Sequence, residues 1–252
     1  MDDWSQFPAR AYLDQHYGHM SAETATMMSS IIAYVRGREI APPARLIEVA
    51  GGPTVFSLLA LTAALGAAPE RIVFTDIADT NLAEIDDWLH DRAAAFDYSH
   101  LYAWLHAEAE VDPERAVSAL RGARWELVQR DWQHPPPAAW IGAFDAISSH
   151  FFVESATHDA VTAQTFASNY ASVGRRDALV LLSFLQHADS WDCDGFAVPS
   201  LRENEGMIEA FLRTSGLSLR DATIRTAAGR QPAEVTGYAG VVTVSGMRAP
   251  QS

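Results

Sequence analysis

Leu46-Ile-Glu-Val-Ala-Gly-Gly-Pro-Thr-Val-Phe56 runs from an apolar strand ending in an acid, through a glycine turn, into an apolar helix. Ile72-Val-Phe-Thr-Asp76 is a second apolar strand, its acid 24 residues past Gly52, with Asp79-Thr-Asn81 just after it. That order suits a nucleoside-bearing cofactor laid across the carboxyl ends of parallel strands. Glycines let the backbone approach such a ligand, and an acid at the tip of the second strand can hold both ribose hydroxyls.

Which cofactor depends on the turn. A dinucleotide fold uses G-x-G-x-x-G to seat a pyrophosphate on a helix N-terminus. Here Ala50-Gly51-Gly52-Pro53-Thr54 has no third glycine, and Glu48 would repel a phosphate. An acid there suits the ammonium end of S-adenosyl-L-methionine (SAM) instead.

The rest of the chain reads as alternating strand and helix. Helices are expected over 11–36. A strand over 45–49 precedes a helix over 55–65, and a strand over 71–75 precedes a helix opening near Asp79 or Thr80, with Glu84 as capping-box partner. Residues 100–123 read as a helical insertion with a start at Pro113. Further strands are expected over 125–130, 144–152 and 178–185, with helices over 158–173 and 201–215. The tail offers two strands, 219–226 and 238–245. The expectation is an α/β fold: a Rossmann-like seven-stranded sheet closed by a hairpin, with residues 1–40 as a helical cap.

Composition sets limits. The 252 residues, 48% hydrophobic and undivided by any linker or repeat, suit one domain over 1–252. Formal charge is −14 and every basic residue is Arg, which argues against nucleic acid or an anionic membrane as partner. Cys193 is the sole cysteine, so no intrachain disulfide forms. MDDWSQFPAR lacks the apolar core of a signal peptide, and the apolar stretch 55–68 is too short to cross a bilayer, so a cytoplasmic protein is expected. The nine histidines lack metal-ligand spacing. Asp192-x-Asp194-Gly195 resembles the start of a calcium loop, but Leu201 stands where its closing Glu belongs, so no metal is expected. Hydrolase motifs of the G-x-S-x-G and H-E-x-x-H types are absent. Nothing in the pattern speaks to oligomeric state.

Tyr12-Leu-Asp-Gln-His-Tyr17, Ile47-Glu-Val-Ala-Gly-Gly-Pro-Thr54, Thr75-Asp-Ile-Ala-Asp-Thr-Asn-Leu82, Asp87-Trp-Leu89 and Phe96-Asp-Tyr-Ser99 occur in this order. They resemble the methyltransferases related to nicotinamide N-methyltransferase, phenylethanolamine N-methyltransferase and the thioether methyltransferases. The resemblance is strong over 7–100 and only in outline beyond. It implies a SAM site. Tyr17 would close over the methionine end, with Glu48 and the Gly51 and Gly52 backbone holding the amino acid moiety. Thr54 and Phe56 would stand at the next helix start, Phe56 replacing a tyrosine common in the family. Asp76 would take the ribose diol and Asn81 would lie near the adenosine. Asp131 would accept from the adenine N6, and Trp132 would cover the ring. His150 would lie near the sulfonium. Ala50 departs from the family, replacing the first glycine of the turn.

For catalysis, methyl transfer needs orientation, and aromatic faces to hold a cation. Tyr12, Tyr17, Phe151, Phe152, Trp191 and Phe196 are candidates for that cage. An ammonium acceptor also needs a carboxylate, for which Glu154 is the candidate, against the alternative of a helix-start acid. Ser183 stands where nicotinamide methyltransferases carry a substrate-binding acid. Asp189, Asp192 and Asp194 could replace that acid, or solvate a lid formed by 187–200 together with 1–30. The expectation is methyl transfer to a small molecule, at nitrogen. The lost acid also admits attack of the cofactor's own amine on its γ-carbon, yielding azetidine-2-carboxylate and methylthioadenosine. A non-catalytic SAM binder is the third reading.

Overall fold

The computed structural model describes residues 4–202, 205–228 and 235–249. After a 3-10 turn at Trp4–Gln6 come α1 (Ala9–Tyr17) and α2 (Ala22–Arg36), the latter capped by Ser21, whose hydroxyl accepts from Thr24 N. β1 (Arg45–Glu48), α3 (Phe56–Leu65), β2 (Arg71–Asp76) and α4 (Asp79–Leu89) follow. α5 (Ser99–Ala109) and α6 (Pro113–Gly122) form the helical insertion before β3 (Arg124–Gln129). Pro113 opens α6 behind the Asp112 cap. Then come β4 (Phe144–His150), α7 (Ala160–Val173), β5 (Gly174–Gln186), β6 (Ser190–Cys193), β7 (Phe196–Pro199), α8 (Glu205–Thr214), β8 (Leu219–Ala228), β9 (Val235–Thr236) and β10 (Gly240–Arg248).

The main sheet has seven strands in the order β3-β2-β1-β4-β5-β10-β8. β3 to β5 are parallel and β10 and β8 pair antiparallel at one end, as the strand-helix alternation followed by a hairpin predicts. Strand order reverses between β1 and β4, which opens a crevice at their carboxyl ends. Alternation along β1 splits the core. Leu46 joins the cluster of α2 to α6, whereas Ile47 joins that of α7 and α8. α3 is buried without interruption from Phe56 to Thr62, because α2 and α6 cover the side that the sheet does not. Gly66, at φ 71°, ends it.

Two sequence expectations change. The segment expected as a lid, 187–200, forms β6 and β7, which with β9 make a three-stranded second sheet. Its Trp191 and Val198 pack on Phe7 and Tyr238, so the short apolar runs are strands facing a core. Glu84 makes no capping box: α4 has no side-chain cap, and Glu84 instead pairs with Arg10 of α1. The helix expected over 201–215 is observed as α8, its first expected turn lying partly outside the described residues.

Candidate functional site

A cavity of about 1220 Å³ opens at the carboxyl ends of β1, β2, β3 and β4. Its floor is the turn after β1. Ala50 and Gly52 both have left-handed backbones, φ 48° and 63°. Gly51 must stay glycine for a different reason: a Cβ there would lie 2.4 Å from Phe74 Cζ and 2.8 Å from Glu48 Cγ. The turn is tied to β2 by Gly51 N–H to Thr75 O (3.1 Å) and Gly52 N–H to Asp76 Oδ2 (2.9 Å). The Thr75 hydroxyl organises the rest. It donates to Glu48 O and accepts from Ala50 N and Trp132 Nε1, at 2.9, 3.2 and 3.0 Å. Tyr98, from the Phe96-Asp-Tyr-Ser99 motif, braces the turn from outside by donating to Pro53 O at 2.8 Å. Thr54 closes it with a bond to Gly51 O.

Asp76 is buried at the cavity wall. Its Oδ1 accepts from Ala78 N and Asn81 Nδ2 (2.9 and 3.0 Å) and its Oδ2 from Gly52 N. Burial raises its pKa, and those donors oppose the rise. Asn81 spends its amide nitrogen on Asp76 and leaves its buried Oδ1 with no hydrogen-bond partner. An orphaned acceptor beside a buried carboxylate fits a ligand that brings hydroxyl or amine donors. Asp131 lies on the same wall, accepting from Gln133 N. Trp132 is buried there with the Arg130 guanidinium 4.8 Å from its ring centroid.

The opposite wall is aromatic. Tyr17 stacks on Phe56 (centroids 5.2 Å apart, 19°) and is hydrogen-bonded to Tyr12, which meets Trp191 edge-on at 5.8 Å. Burial pushes the Tyr12 hydroxyl up to about 12 and that of Tyr17 well above its ordinary range, so both stay protonated donors. The roof is latched from both sides. Arg10 forms a two-pronged pair with Glu84 (3.0 and 2.5 Å), Thr80 Oγ1 donates to Phe7 O, and Gln15 Nε2 donates to Asp192 O. Phe151, with φ 56°, adds a ring at the end of β4.

His150 lines the cavity between two serines, with Nε2 3.0 Å from Ser148 Oγ and Nδ1 2.8 Å from Ser183 Oγ. Burial lowers its pKa to about 3, so the ring is neutral. Ser183 does not line the cavity; it holds His150 from behind.

Two expected contacts are not made. Glu48 does not line the cavity, because strand alternation turns it toward α3, where its carboxylate accepts from Ser57 Oγ at 3.3 Å. Burial raises it to about 7, against the hydroxyls of Ser148 and Ser57. Glu154 is also absent from the lining. It is fully buried, its Oε1 accepting from Leu185 N (2.7 Å) and its backbone carbonyl from Leu201 N, so it ties the end of β4 to β5. Asp189, Asp192 and Asp194 do not line the cavity either.

Sequence reasoning missed Thr75 as the hub, Tyr98 as the brace, and the hydrogen-bonded pair Glu23 and Tyr238 in the cavity lining. Thr75 and Tyr98 lay inside motifs already singled out; Glu23 and Tyr238 carry no local signal. No cluster of three or more His, Cys, Asp or Glu side chains suited to a metal occurs among the described residues. No described helix is long and apolar enough to cross a membrane.

The sequence profile of the NNMT/PNMT/TEMT family matches residues 1–247. The chain belongs to this family. Phenylethanolamine N-methyltransferase of Bos taurus is 29% identical over 181 residues, covering 68% of this chain and 61% of that enzyme. Nicotinamide N-methyltransferase of Sus scrofa is 24% identical over 180 residues, covering 69% of this chain and 66% of that enzyme. The family member thus matches just under two thirds of the length of these relatives. Among solved structures, the N-methyltransferase NodS of Bradyrhizobium japonicum, in complex with S-adenosylhomocysteine, superposes with a TM-score of 0.57 at 11% identity. That match covers 99% of this chain and 100% of that one. An S-adenosylmethionine-dependent methyltransferase of Clostridium acetobutylicum gives 0.58 at 10% identity, covering 96% and 98%. At these identities the likeness is one of fold: a Rossmann-like methyltransferase sheet.

Proposed function

We propose that this family member transfers the methyl group of SAM to a nitrogen of a small-molecule acceptor. The observation that carries the reading is the buried Asp76 carboxylate beside the partnerless Asn81 Oδ1, at the strand tip where a ribose belongs. When bound, SAM supplies an electrophilic methyl group for in-line displacement. Asp76 would accept from the ribose diol and Asn81 Oδ1 from a further donor of the adenosine. Asp131 would accept from the adenine amine, with Trp132 against the ring. Gly51, Gly52 and Thr54 would present backbone and hydroxyl groups to the amino acid end, and Tyr12, accepting from Tyr17, would donate to its carboxylate. Glu48 acts beneath this floor, holding the turn rather than touching the ligand.

Phe56, Phe151 and Trp191 offer rings to a cation, each worth about 0.5–2 kcal/mol, with the neutral His150 beside them. A neutral imidazole matters here, since an imidazolium would repel the sulfonium. Ser183 keeps the ring in place as a positioning residue. The α1 segment and β6–β7 serve as the cap that excludes water.

Incubation with SAM alone, followed by mass spectrometry of the nucleosides, tests this reading. SAM should persist until an amine is added, and then give S-adenosylhomocysteine. Methylthioadenosine without acceptor would replace methyl transfer by cyclisation to azetidine-2-carboxylate. Binding without turnover on any amine, pyridine or thioether would make the chain a SAM-binding protein.

A further inference from the structure

Glu23 stands in the first turn of α2, and Tyr238 between β9 and β10. The Tyr238 hydroxyl donates to Glu23 Oε1 at 2.6 Å across 215 positions of sequence, and both side chains line the cavity. Tyr238 is buried with Phe7, Trp191 and Val198, so its hydroxyl is delivered to the carboxylate from a packed ring. None of the ion pairs among the described residues includes Glu23.

A helix-start acid gains about 0.3–1 kcal/mol from the helix dipole. That accounts for an acid in this turn but not for its tether, since Ser21 already caps α2. A solvated carboxylate needs no buried tyrosine either. The placement is more telling. Tyr238 leads into β10, four strand positions from β2 in the sheet, whereas Asp76 ends β2. Asp76, Asp131 and Asp159 also line the cavity, and of these four carboxylates Glu23 is the one that accepts from a buried tyrosine.

We propose that Glu23, held by Tyr238, anchors the protonated amine of an acceptor whose flat apolar body lies against Phe7, Tyr12 and Trp191. This rests on the methyltransferase reading and names the chemistry of its acceptor: a primary or secondary ammonium, not a neutral thioether. It also explains how a chain whose Glu154 is turned away from the cavity, and which carries Ser183 after β5, still offers an acceptor site a negative charge. The charge is carried by α2.

The test is calorimetry on protein loaded with S-adenosylhomocysteine, comparing 2-phenylethylamine and tryptamine with their neutral counterparts 2-phenylethanol and tryptophol. Wild type should bind each amine at least about tenfold more tightly than its alcohol, a difference of about 1.4 kcal/mol. Glu23→Gln should erase that preference while S-adenosylhomocysteine binds within about twofold of wild type. Tyr238→Phe should weaken the amines by about threefold to tenfold and spare the alcohols, as expected for loss of a charge-assisted hydrogen bond. A wild type that binds amine no better than alcohol overturns the proposal, as does a preference that survives Glu23→Gln. Loss of S-adenosylhomocysteine binding in Glu23→Gln also overturns it, assigning Glu23 to the cofactor. A wild type that never binds S-adenosylhomocysteine defeats the methyltransferase reading itself, which separates the two failures.

Discussion

The end of the cavity over β1, β2 and β3 is assembled from residues 48–81 with Asp131 and Trp132, whereas the end beyond β4 draws on α1, α2, β6 and the approach to β10. In the first, backbone amides do most of the positioning: the turn hangs from Thr75 and Asp76 by N–H donors. In the second, side chains position one another, Tyr12 on Tyr17, Ser183 on His150 and Tyr238 on Glu23. A backbone cradle tolerates little change of sequence because its geometry is the site. A side-chain wall can be rebuilt residue by residue. That difference suits an enzyme family with one cofactor and many acceptors.

Breaking the backbone end should give the largest effects. Asp76→Asn puts an amide where three N–H donors converge and removes the charge. Hydrogen bonds to charged groups are worth about 1.5–3 kcal/mol, so S-adenosylhomocysteine affinity should fall about a hundredfold by calorimetry. Affinity within threefold of wild type would remove Asp76 from the cofactor. Gly51→Ala should cost about 2 kcal/mol of stability, because the new methyl overlaps the Phe74 ring and Glu48. Phe74→Leu added to it should recover part of that loss in thermal unfolding; no recovery would mean that the clash is not the cause.

The same contrast explains what the sequence could convey. Strand tips, the glycine turn and the acid at position 76 are local signals, because a backbone turn is written in consecutive residues. The seven-stranded α/β sheet closed by a hairpin followed from strand-helix alternation. The roles of Glu48 and Glu154 did not, since position at a strand end says nothing of which face a carboxylate takes; alternation along β1 sends Glu48 to α3. Glu23 and Tyr238 were invisible for another reason. Each is ordinary in its own segment, a helix-start acid and a tyrosine after a glycine, and only the fold brings them within 2.6 Å.

Glu48 offers a sharper test of the floor. Burial lifts its pKa from the ordinary 4.5 to about 7, while the unfolded chain ionises it at the ordinary value. The unfolded state therefore releases a proton that the folded state keeps, and stability falls as pH rises from about 4.5 to about 7. Ligand-free Glu48→Gln should lose that slope and exceed wild type by about 1–2 kcal/mol at pH 8, its amide served by Ser57 and Ser148. Denaturant melts of both proteins at pH 5 and pH 8 decide it. Parallel pH dependence would mean that Glu48 is ionised at an ordinary pKa in the folded protein.

The smallest effect compares one left-handed residue from each end, Ala50 at φ 48° and Phe151 at φ 56°. A side chain in this region costs about 1–2 kcal/mol, and glycine gives back about 0.5–1 kcal/mol in lost backbone entropy. Ala50→Gly should therefore stabilise by about 0.5–1 kcal/mol, a rise of roughly 1–4 °C in Tm for a chain of this size. Phe151→Gly relieves the same strain but removes a ring packed against both the α2–α6 cluster and the Trp191 cluster. Loss of a packed aromatic costs about 3–5 kcal/mol when fully buried, and the partly buried Phe151 should still lose more than it gains. Opposite signs at two positions with nearly the same φ would show that the Asp76 end is limited by its backbone and the other end by its side chains. Destabilisation by Ala50→Gly would mean that the alanine methyl is itself part of the floor.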